Sequence, residues 1–139
     1  MPIPMEIQHA SEDFERFMVD ARSNAHLATR NQTYTMIQGV LFAFRKRLDY
    51  REALGFANVL PPVTRAIFVA DWNLDEPKQA FADRATMTID AQSLRKEHNF
   101  SPESCICDVA QALRKHVDLA RFDHYLEKLS KEAREFWEV

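Results

Sequence analysis

The chain has 139 residues, of which 46% are hydrophobic and 28% are charged, and its formal net charge is −3. This length and composition are typical of one globular domain with a core of its own. The lack of a basic excess argues against a general nucleic-acid binder, and the presence of only two glycines argues against a phosphate-binding glycine loop.

The bulk features also predict where the protein works. The first residues, MPIPMEIQHA, have no basic stretch followed by an apolar one, so no secretory signal is expected. No segment is apolar over the length that a bilayer requires, so no membrane span is expected. The only two cysteines, Cys105 and Cys107, fit a reducing compartment, and we therefore expect a cytoplasmic protein.

Two helices are predicted before residue 49. The first begins at Ser11, a residue type that caps helices, and carries acidic residues in its first turn. Thr29 and Gln32 have the spacing of a capping box at the start of the second. Both helices show apolar residues at the spacing of one buried face. These faces comprise Phe14, Phe17, Met18, Ala21 and Ala25 in the first helix, and Ile37, Val40, Leu41, Phe44 and Leu48 in the second.

Two shorter helices are predicted next. Asp49 and Glu52 form another capping box, and Pro61 ends the helix that they start. Pro62 suits the first turn of the fourth helix. The predicted buried faces are Ala53, Phe56, Ala57 and Leu60 in the third helix, and Val63, Ala66, Ile67 and Ala70 in the fourth. The polar stretch NLDEPK that follows indicates a junction, placed at 73–76, between two halves.

After the junction the pattern starts again. Phe81, Ala85 and Ile89 mark a helix that extends to about Leu94, and Ser101-Pro102 is a start signal for the next helix. When the chain is aligned on itself so that Ile37 falls on Ile106, the buried faces of the second and third helices fall on apolar residues once more. The faces of the second half in this self-alignment are Ile106, Val109, Ala110, Leu113 and Val117, and Phe122, Tyr125, Leu126 and Leu129.

Polar residues recur in the same self-alignment, which chance agreement of two amphipathic helices does not explain. The matched pairs are Asp49 with Asp118, Arg45 with Arg114, and Arg65 with Arg134. We therefore predict an all-α single domain over 1–139, without a β-sheet, made of two tandem four-helix units at 10–72 and 77–138. These units are expected to form one compact helical body about a pseudo-two-fold axis.

The segment FRKRLDYREALGFANVLPPVTRAIF, followed by a tryptophan, resembles the bacterial "domain of unknown function 2267" family. The family pattern is Leu-Arg-x-Arg-Leu, then Glu-Ala, then Gln-Leu-Pro, then an arginine, an aromatic residue and a tryptophan. The matching residues here are Arg45, Arg47, Leu48, Glu52, Ala53, Leu60, Pro61, Arg65 and Trp72. Phe44 stands where leucine is usual, and Val59 stands where glutamine is usual. The resemblance covers about residues 10 to 138, includes a second, weaker copy of the pattern, and implies an all-α bacterial protein but no activity.

Four arginines that recur between the halves are predicted to be structural braces. They are Arg45, Arg65, Arg114 and Arg134. Each has a long apolar stem that can cover the core, and a guanidinium that can bind the free carbonyls at a helix end.

A candidate interaction surface comprises Arg45, its basic neighbours and the features that the second half lacks. Its residues are Gly39, Arg45, Arg47, Arg51, Gly55 and Trp72. A glycine inside a helix costs stability, so the two glycines indicate close approach of another helix, either inside the first unit or across an interface. Trp72 is expected either to pack between the halves or to anchor a partner.

No catalytic, cofactor or metal site is predicted. Cys105 and Cys107 are two positions apart on a helix, so their side chains diverge by roughly 200° and cannot share an ion. None of the five histidines has the spacing of a zinc or metalloprotease motif. Whether the protein is an enzyme stays undecided, although these observations favour that it is not.

Three classes of function therefore stay open. The first is a non-enzymatic helical module that binds a second copy of itself or another protein. The second is a helical protein that binds a small ligand or lipid, with phenylalanines and methionines lining a cavity. The third is a nucleic-acid binder or an enzyme of another type, for which the basic segment 45–51 is the only basis, and nucleic acid is disfavoured by the charge balance.

Overall fold

A computed structural model describes residues 2–139 of the chain. Within that range every regular element is helical and there is no β-strand, so the prediction of an all-α chain is confirmed. The elements are α1 (Met5–Gln8), α2 (Ala10–Ala25), α3 (Arg30–Arg45), α4 (Tyr50–Ala57), α5 (Pro62–Val69), α6 (Arg84–Gln92), a 3₁₀ turn (Lys96–His98), α7 (Cys105–Arg114), α8 (Leu119–Leu126) and α9 (Lys131–Phe136).

The two predicted capping boxes start α3 and α4. The Thr29 hydroxyl accepts a hydrogen bond from the N–H of Gln32 (3.1 Å), whose side chain accepts one from the N–H of Thr29 (3.3 Å). Asp49 and Glu52 exchange the same pair of bonds at 2.8 and 3.0 Å. Because each box satisfies N–H groups that a helix start leaves free, the local sequence determines where these helices begin.

Two other helix starts differ from prediction. The hydrogen bonding of α2 begins before Ser11, since the carbonyl of His9 already accepts from the N–H of Asp13 (2.9 Å). α7 begins at Cys105, after a turn in which the carbonyl of Pro102 accepts from the Cys105 N–H (3.0 Å). The short helix α1 was not predicted.

The bounds of α6 also correct a prediction. The Asp83 carboxylate accepts a hydrogen bond from the N–H of Thr86 (2.8 Å), so the helix begins at Arg84. It ends at Gln92 and does not extend to Leu94. The proline and polar residues of the junction leave the chain before Asp83 without regular structure.

The buried face of α6 is not the predicted one. Phe81 lies before the helix, and Ala85 and Ile89 are exposed. The face turned inward consists of Met87, Thr88 and Ala91. α6 packs on α3 where Gly39 lies against Ala91, and this contact selects the inward face.

The core surrounds α3, which contacts α2, α5, α6 and α7. Its predicted apolar face is buried, and so are residues on its other sides, as expected for a helix enclosed by neighbours. Trp137 is fully buried, and the centre of its ring lies 5.3 Å from the ring centre of Phe44 and 5.5 Å from that of Phe56, both in the first half. It also contacts Phe122 and Phe136, in the second half. Trp137 is therefore a tryptophan that joins the halves.

Both glycines lie against the second half of the same chain. A Cβ atom at Gly39 would be 2.3 Å from the carbonyl oxygen of Ala91. A Cβ atom at Gly55 would be 2.1 Å from the hydroxyl of Tyr125, which donates a hydrogen bond to the carbonyl of Glu52 (2.9 Å). Close approach thus occurs at both glycines, but it is between the two halves of the chain and not inside the first unit.

Several helix bounds and contacts repeat between the halves. The self-alignment that places Ile37 on Ile106 matches α4 with α8 at both ends, and it matches the start of α5 with the start of α9. In the same self-alignment α2 corresponds to α6 and α3 corresponds to α7, so the contact between α3 and α6 corresponds to the contact between α2 and α7. These two contacts interleave the halves, so neither half encloses its own core.

Candidate functional site at the junction groove

A groove of about 610 Å³ lies where the end of α3 and the start of α4 face the junction. We call it the junction groove. Its walls carry large apolar side chains on a surface that also contains charges of both signs. The residues that line it are Phe42, Arg45, Lys46, Leu48, Asp49, Tyr50, Trp72, Asn73, Leu74, Glu76, Pro77 and Lys78.

Arg45, the last residue of α3, is one of the residues that line this groove. Its side chain is only 8% exposed, and one guanidinium nitrogen donates hydrogen bonds to the carbonyls of Phe68 (2.8 Å) and Ala70 (2.7 Å). The guanidinium carbon lies 4.2 Å from the ring centre of Phe42 and 5.3 Å from that of Trp72. These carbonyls belong to the end of α5, so Arg45 joins the ends of two helices and is fixed between two aromatic rings.

The charge of Arg45 has no direct counter-ion. Among residues 2–139, no carboxylate lies within 4.0 Å of its guanidinium. Burial lowers the pKa of Arg45 from its ordinary value, while the more distant carboxylates of Glu76 and Asp71 act in the opposite direction. An arginine stays charged under such conditions, so the groove contains a cation that the protein compensates only at a distance.

Arg114, the counterpart of Arg45 in the second half, is arranged differently. It donates to the carbonyl of Trp137 (2.7 Å), the counterpart of Phe68, but a second nitrogen donates to the Asp123 carboxylate (2.9 Å). The position that corresponds to Asp123 in the first half is Leu54, which is 52% exposed. The two arginines therefore share a carbonyl partner, and only Arg114 has a carboxylate partner.

Arg65 and Arg134 bind corresponding carbonyls. Arg65 donates to the carbonyls of Ala57 (3.0 Å) and Leu60 (2.9 Å) at the end of α4. Arg134 donates to the carbonyl of Leu129 at 3.5 Å, a longer and weaker contact at the end of α8.

Replacing both residues, Arg65→Met and Arg134→Met, is expected to lower the free energy of unfolding by about 1.5 to 3 kcal/mol, chiefly through Arg65, because its charged bonds are the shorter ones. Chemical denaturation of the single and double variants measures this loss. Lys131→Met removes an exposed cation and serves as control. An unchanged unfolding midpoint in the double variant would mean that these arginines are not braces.

The other predicted interaction residues are separated by the fold. Arg47 is 3% exposed and donates to the carboxylate of Asp90 (2.7 Å) and to the carbonyls of Ala43 (2.8 Å) and Ala80 (3.1 Å). Lys46 forms a further ion pair with Asp90 (3.3 Å). Arg47, like the glycines, thus connects parts of the same chain.

Of the predicted interaction residues, the structure brings Arg45 and Trp72 together in the groove. Trp72 is half-buried, and Arg51 is exposed beside the Tyr50 ring, with 6.0 Å between its guanidinium carbon and the ring centre. The basic segment 45–51 therefore presents Arg51 as its exposed arginine, since Arg45 and Arg47 are buried.

Three groove residues were not identified from the sequence. Phe42, Tyr50 and Leu74 are large apolar residues that lie outside the predicted buried faces. Their place outside these faces could have indicated that they are exposed. Phe42 directly follows Leu41, which belongs to the predicted buried face, and Leu74 is the only apolar residue within a polar stretch. Tyr50 and Leu74 are 56% and 70% exposed.

The two cysteines are free and differ in exposure, with Cys105 buried and Cys107 half-buried. Burial raises the pKa of the Cys105 thiol to about 11, and the Asp108 carboxylate acts in the same direction. Among residues 2–139, no three His, Cys, Asp or Glu side chains are placed to hold a metal ion.

We expect one fast and one slow thiol. At pH 8 only about one Cys105 side chain in a thousand would be ionised, and a thiol reacts as its thiolate. Titration of the native protein with a thiol-specific disulfide reagent should therefore modify Cys107 first and Cys105 only after denaturation. Cys107→Ser should abolish the fast phase. Two fast thiols in the native protein would contradict the burial of Cys105.

No helix in the described range is both long and apolar enough to cross a membrane. A comparison with curated proteins found no match. A family model described as "Uncharacterized conserved protein (DUF2267)" matches residues 14–136, and this range contains the recurring arginines and the groove. The resemblance noted in the sequence is thereby confirmed, and the chain belongs to the DUF2267 family.

Proposed function

We propose that this protein is a non-enzymatic helical module that binds a partner protein through the junction groove. The observation that carries the proposal is the pair of exposed apolar side chains, Tyr50 and Leu74, at a groove that Phe42, Trp72 and Arg45 also line. Aromatic residues and arginine are the types enriched where protein interfaces have most of their binding energy.

The contacts between the two halves, of α3 with α6 and of α2 with α7, hold this surface on a rigid framework. α3 ends at the groove and is fixed by contacts with both halves, including that of Gly39, and Arg47, two residues after its end, binds Asp90 of the second half. We further propose that the halves are duplicated, pseudo-symmetric units at 10–72 and 77–138. The helix bounds and arginine–carbonyl bonds that recur in the self-alignment support this relation.

The free thiols support a reducing location, for which we propose the bacterial cytoplasm.

The test compares partner capture by two matched variants. Tyr50→Ser with Leu74→Ser removes the exposed apolar side chains of the groove. Ile89→Ser removes a similarly exposed apolar side chain of α6, outside the groove. Proteins retained from a lysate of the source cells should be lost with the groove variant and kept with the control. Retention that is the same for both variants would contradict the proposal.

A second copy of the chain is one partner that this test must recognise. Sedimentation velocity of the wild type and the groove variant separates this case from binding of another protein. A dimer that dissociates only in the groove variant identifies a second copy as the partner.

A small ligand is the second candidate, because the volume of the groove lies within the range of small-molecule sites, about 300 to 1,000 Å³. The buried phenylalanines do not support this function, since they fill the core. Native mass spectrometry of the protein purified from its source cells tests it. A stoichiometric bound small molecule, lost in the groove variant, would favour the second candidate over the first.

A further inference from the structure

We infer that Arg45 binds a carboxylate of the partner, and that the segment occupying the junction groove carries an Asp or Glu side chain next to apolar residues. This inference rests on the function proposed above and adds the chemistry of the partner. It depends on the hydrogen-bonding capacity of Arg45, on the comparison with Arg114 and on the walls of the groove.

Arg45 has donors that the fold does not use. A guanidinium offers five N–H donors, and both carbonyl bonds of Arg45 come from one terminal nitrogen. Its Nε and its other terminal nitrogen have no hydrogen-bond acceptor in the part of the chain that the structure describes, and neither belongs to the fully enclosed unpaired atoms. These donors therefore remain for a ligand that enters the groove, which Arg45 lines.

The second half shows, within the same chain, what kind of group can occupy the unused donors of such an arginine. Arg114 uses a further nitrogen to bind the Asp123 carboxylate (2.9 Å), and Leu54 occupies the corresponding place on α4. A carboxylate is therefore a type of partner that an arginine at the end of this helix, α7 in the second half and α3 in the first, can bind. In the first half α3 and α4 supply no carboxylate to Arg45, so a carboxylate ligand would come from outside this pair of helices.

Arg45 is the buried cation of the groove, whereas Lys78, which also lines it, is exposed to solvent. Lys46 is paired with Asp90, and Asp49 caps α4. Glu76 is exposed on the junction and near enough to affect Arg45, so it competes with an incoming carboxylate. A carboxylate in direct contact forms charge-assisted bonds that a distant one does not.

The walls specify the remainder of the segment. Phe42 and Trp72 cover the guanidinium, and the side chains of Tyr50, Leu74 and Pro77 line the groove. Such a surface suits aliphatic or aromatic side chains on either side of the acid, since burial of these groups excludes water from the ion pair.

The experiment selects random dodecapeptides, displayed on phage, that bind the wild-type protein. Selected peptides should share an Asp or Glu next to apolar residues. Synthetic versions with an amidated C-terminus have no terminal carboxylate, so only the side chain can bind Arg45. Replacement of the shared acid by its amide should weaken binding about tenfold or more, because a buried charge loses its partner.

Two protein variants test the same contact without removing Arg45, which also supports the fold. Leu54→Asp places a carboxylate where the second half has Asp123 and should weaken binding about tenfold, while Leu54→Asn should leave it unchanged. Glu76→Gln removes the competing carboxylate and should strengthen binding severalfold. Circular dichroism melts verify that each variant is folded.

The outcomes separate this inference from the proposed function. Peptides that lose binding with Tyr50→Ser and Leu74→Ser but lack a shared acid would overturn the role of Arg45 and leave the interaction module standing. Unchanged affinity for Leu54→Asp would also overturn it. A selection without any groove-dependent peptide would contradict both proposals.

Discussion

Arg47→Met is expected to lower the free energy of unfolding by about 3 to 5 kcal/mol, which is the cost of breaking a buried ion pair from one side. The variant leaves the carboxylate of Asp90 with only Lys46 as a cation. It also leaves the carbonyls of Ala43 and Ala80 without their donor. Because Ala80 and Asp90 lie after the junction, the loss weakens the connection between the halves. Urea denaturation of the variant measures this change.

Two controls identify the cause of that loss. Arg16→Met breaks an exposed ion pair with Asp13, and such pairs contribute at most about 1 kcal/mol. Adding Asp90→Asn to Arg47→Met removes the carboxylate charge that has lost its closer partner and should restore part of the stability. Equal effects of Arg47→Met and Arg16→Met would mean that the buried pair does not join the halves.

Gly39→Ala is expected to destabilise the protein by about 2 kcal/mol or more, although alanine is the better helix former by about 1 kcal/mol. The added Cβ would lie 2.3 Å from the carbonyl oxygen of Ala91. Since that contact is with backbone, α6 as a whole would have to move away from α3. Thermal denaturation, with the same loss seen in urea, is the measurement.

Gly55 offers the matched control, because its close neighbour is a side chain. Gly55→Ala alone should destabilise by collision with the Tyr125 side chain, since the added Cβ would lie 2.1 Å from its hydroxyl. Combined with Tyr125→Ala, the glycine replacement should cost less than it does alone, as a double-mutant cycle would show. A stabilising Gly39→Ala would refute the close contact between α3 and α6.

Some features set by neighbours in the sequence were predicted correctly, whereas the helix starts predicted at Ser11 and Ser101 were wrong. The capping boxes of Thr29 and Asp49 depend on residues three positions apart, and the buried faces of α3 and α4 depend on helical spacing. The predicted family rested on a local pattern of the same kind and is also confirmed.

Features set by distant residues were missed. The inward face of α6 depends on the contact between Ala91 and Gly39, which are far apart in the sequence, and its own apolar residues suggested another face. Trp72, which was expected either to pack between the halves or to anchor a partner, lines the junction groove, and the contacts of Trp137 with rings of both halves were not predicted. Nothing local distinguishes the two tryptophans.

The candidate site shows the same division. The basic stretch around Arg45 and Arg47 was visible in the sequence. The sequence did not show that Arg47 binds Asp90 or that Arg45 reaches the groove. Which of two nearby cations has a carboxylate partner depends on the packing of α6 and of the junction. The groove itself forms only when Tyr50 and Leu74, separated by α4 and α5, come together.

The most direct measurement is photo-crosslinking from the groove in the cells that make the protein. A benzoylphenylalanine in place of Leu74 reports contacts at the groove, and one in place of Ile89 reports contacts at a similarly exposed site outside it. We expect a defined protein adduct from position 74, weakened by Leu54→Asp, and none from position 89. No adduct from position 74, or the same adducts from both positions, would contradict a partner-binding role for the junction groove.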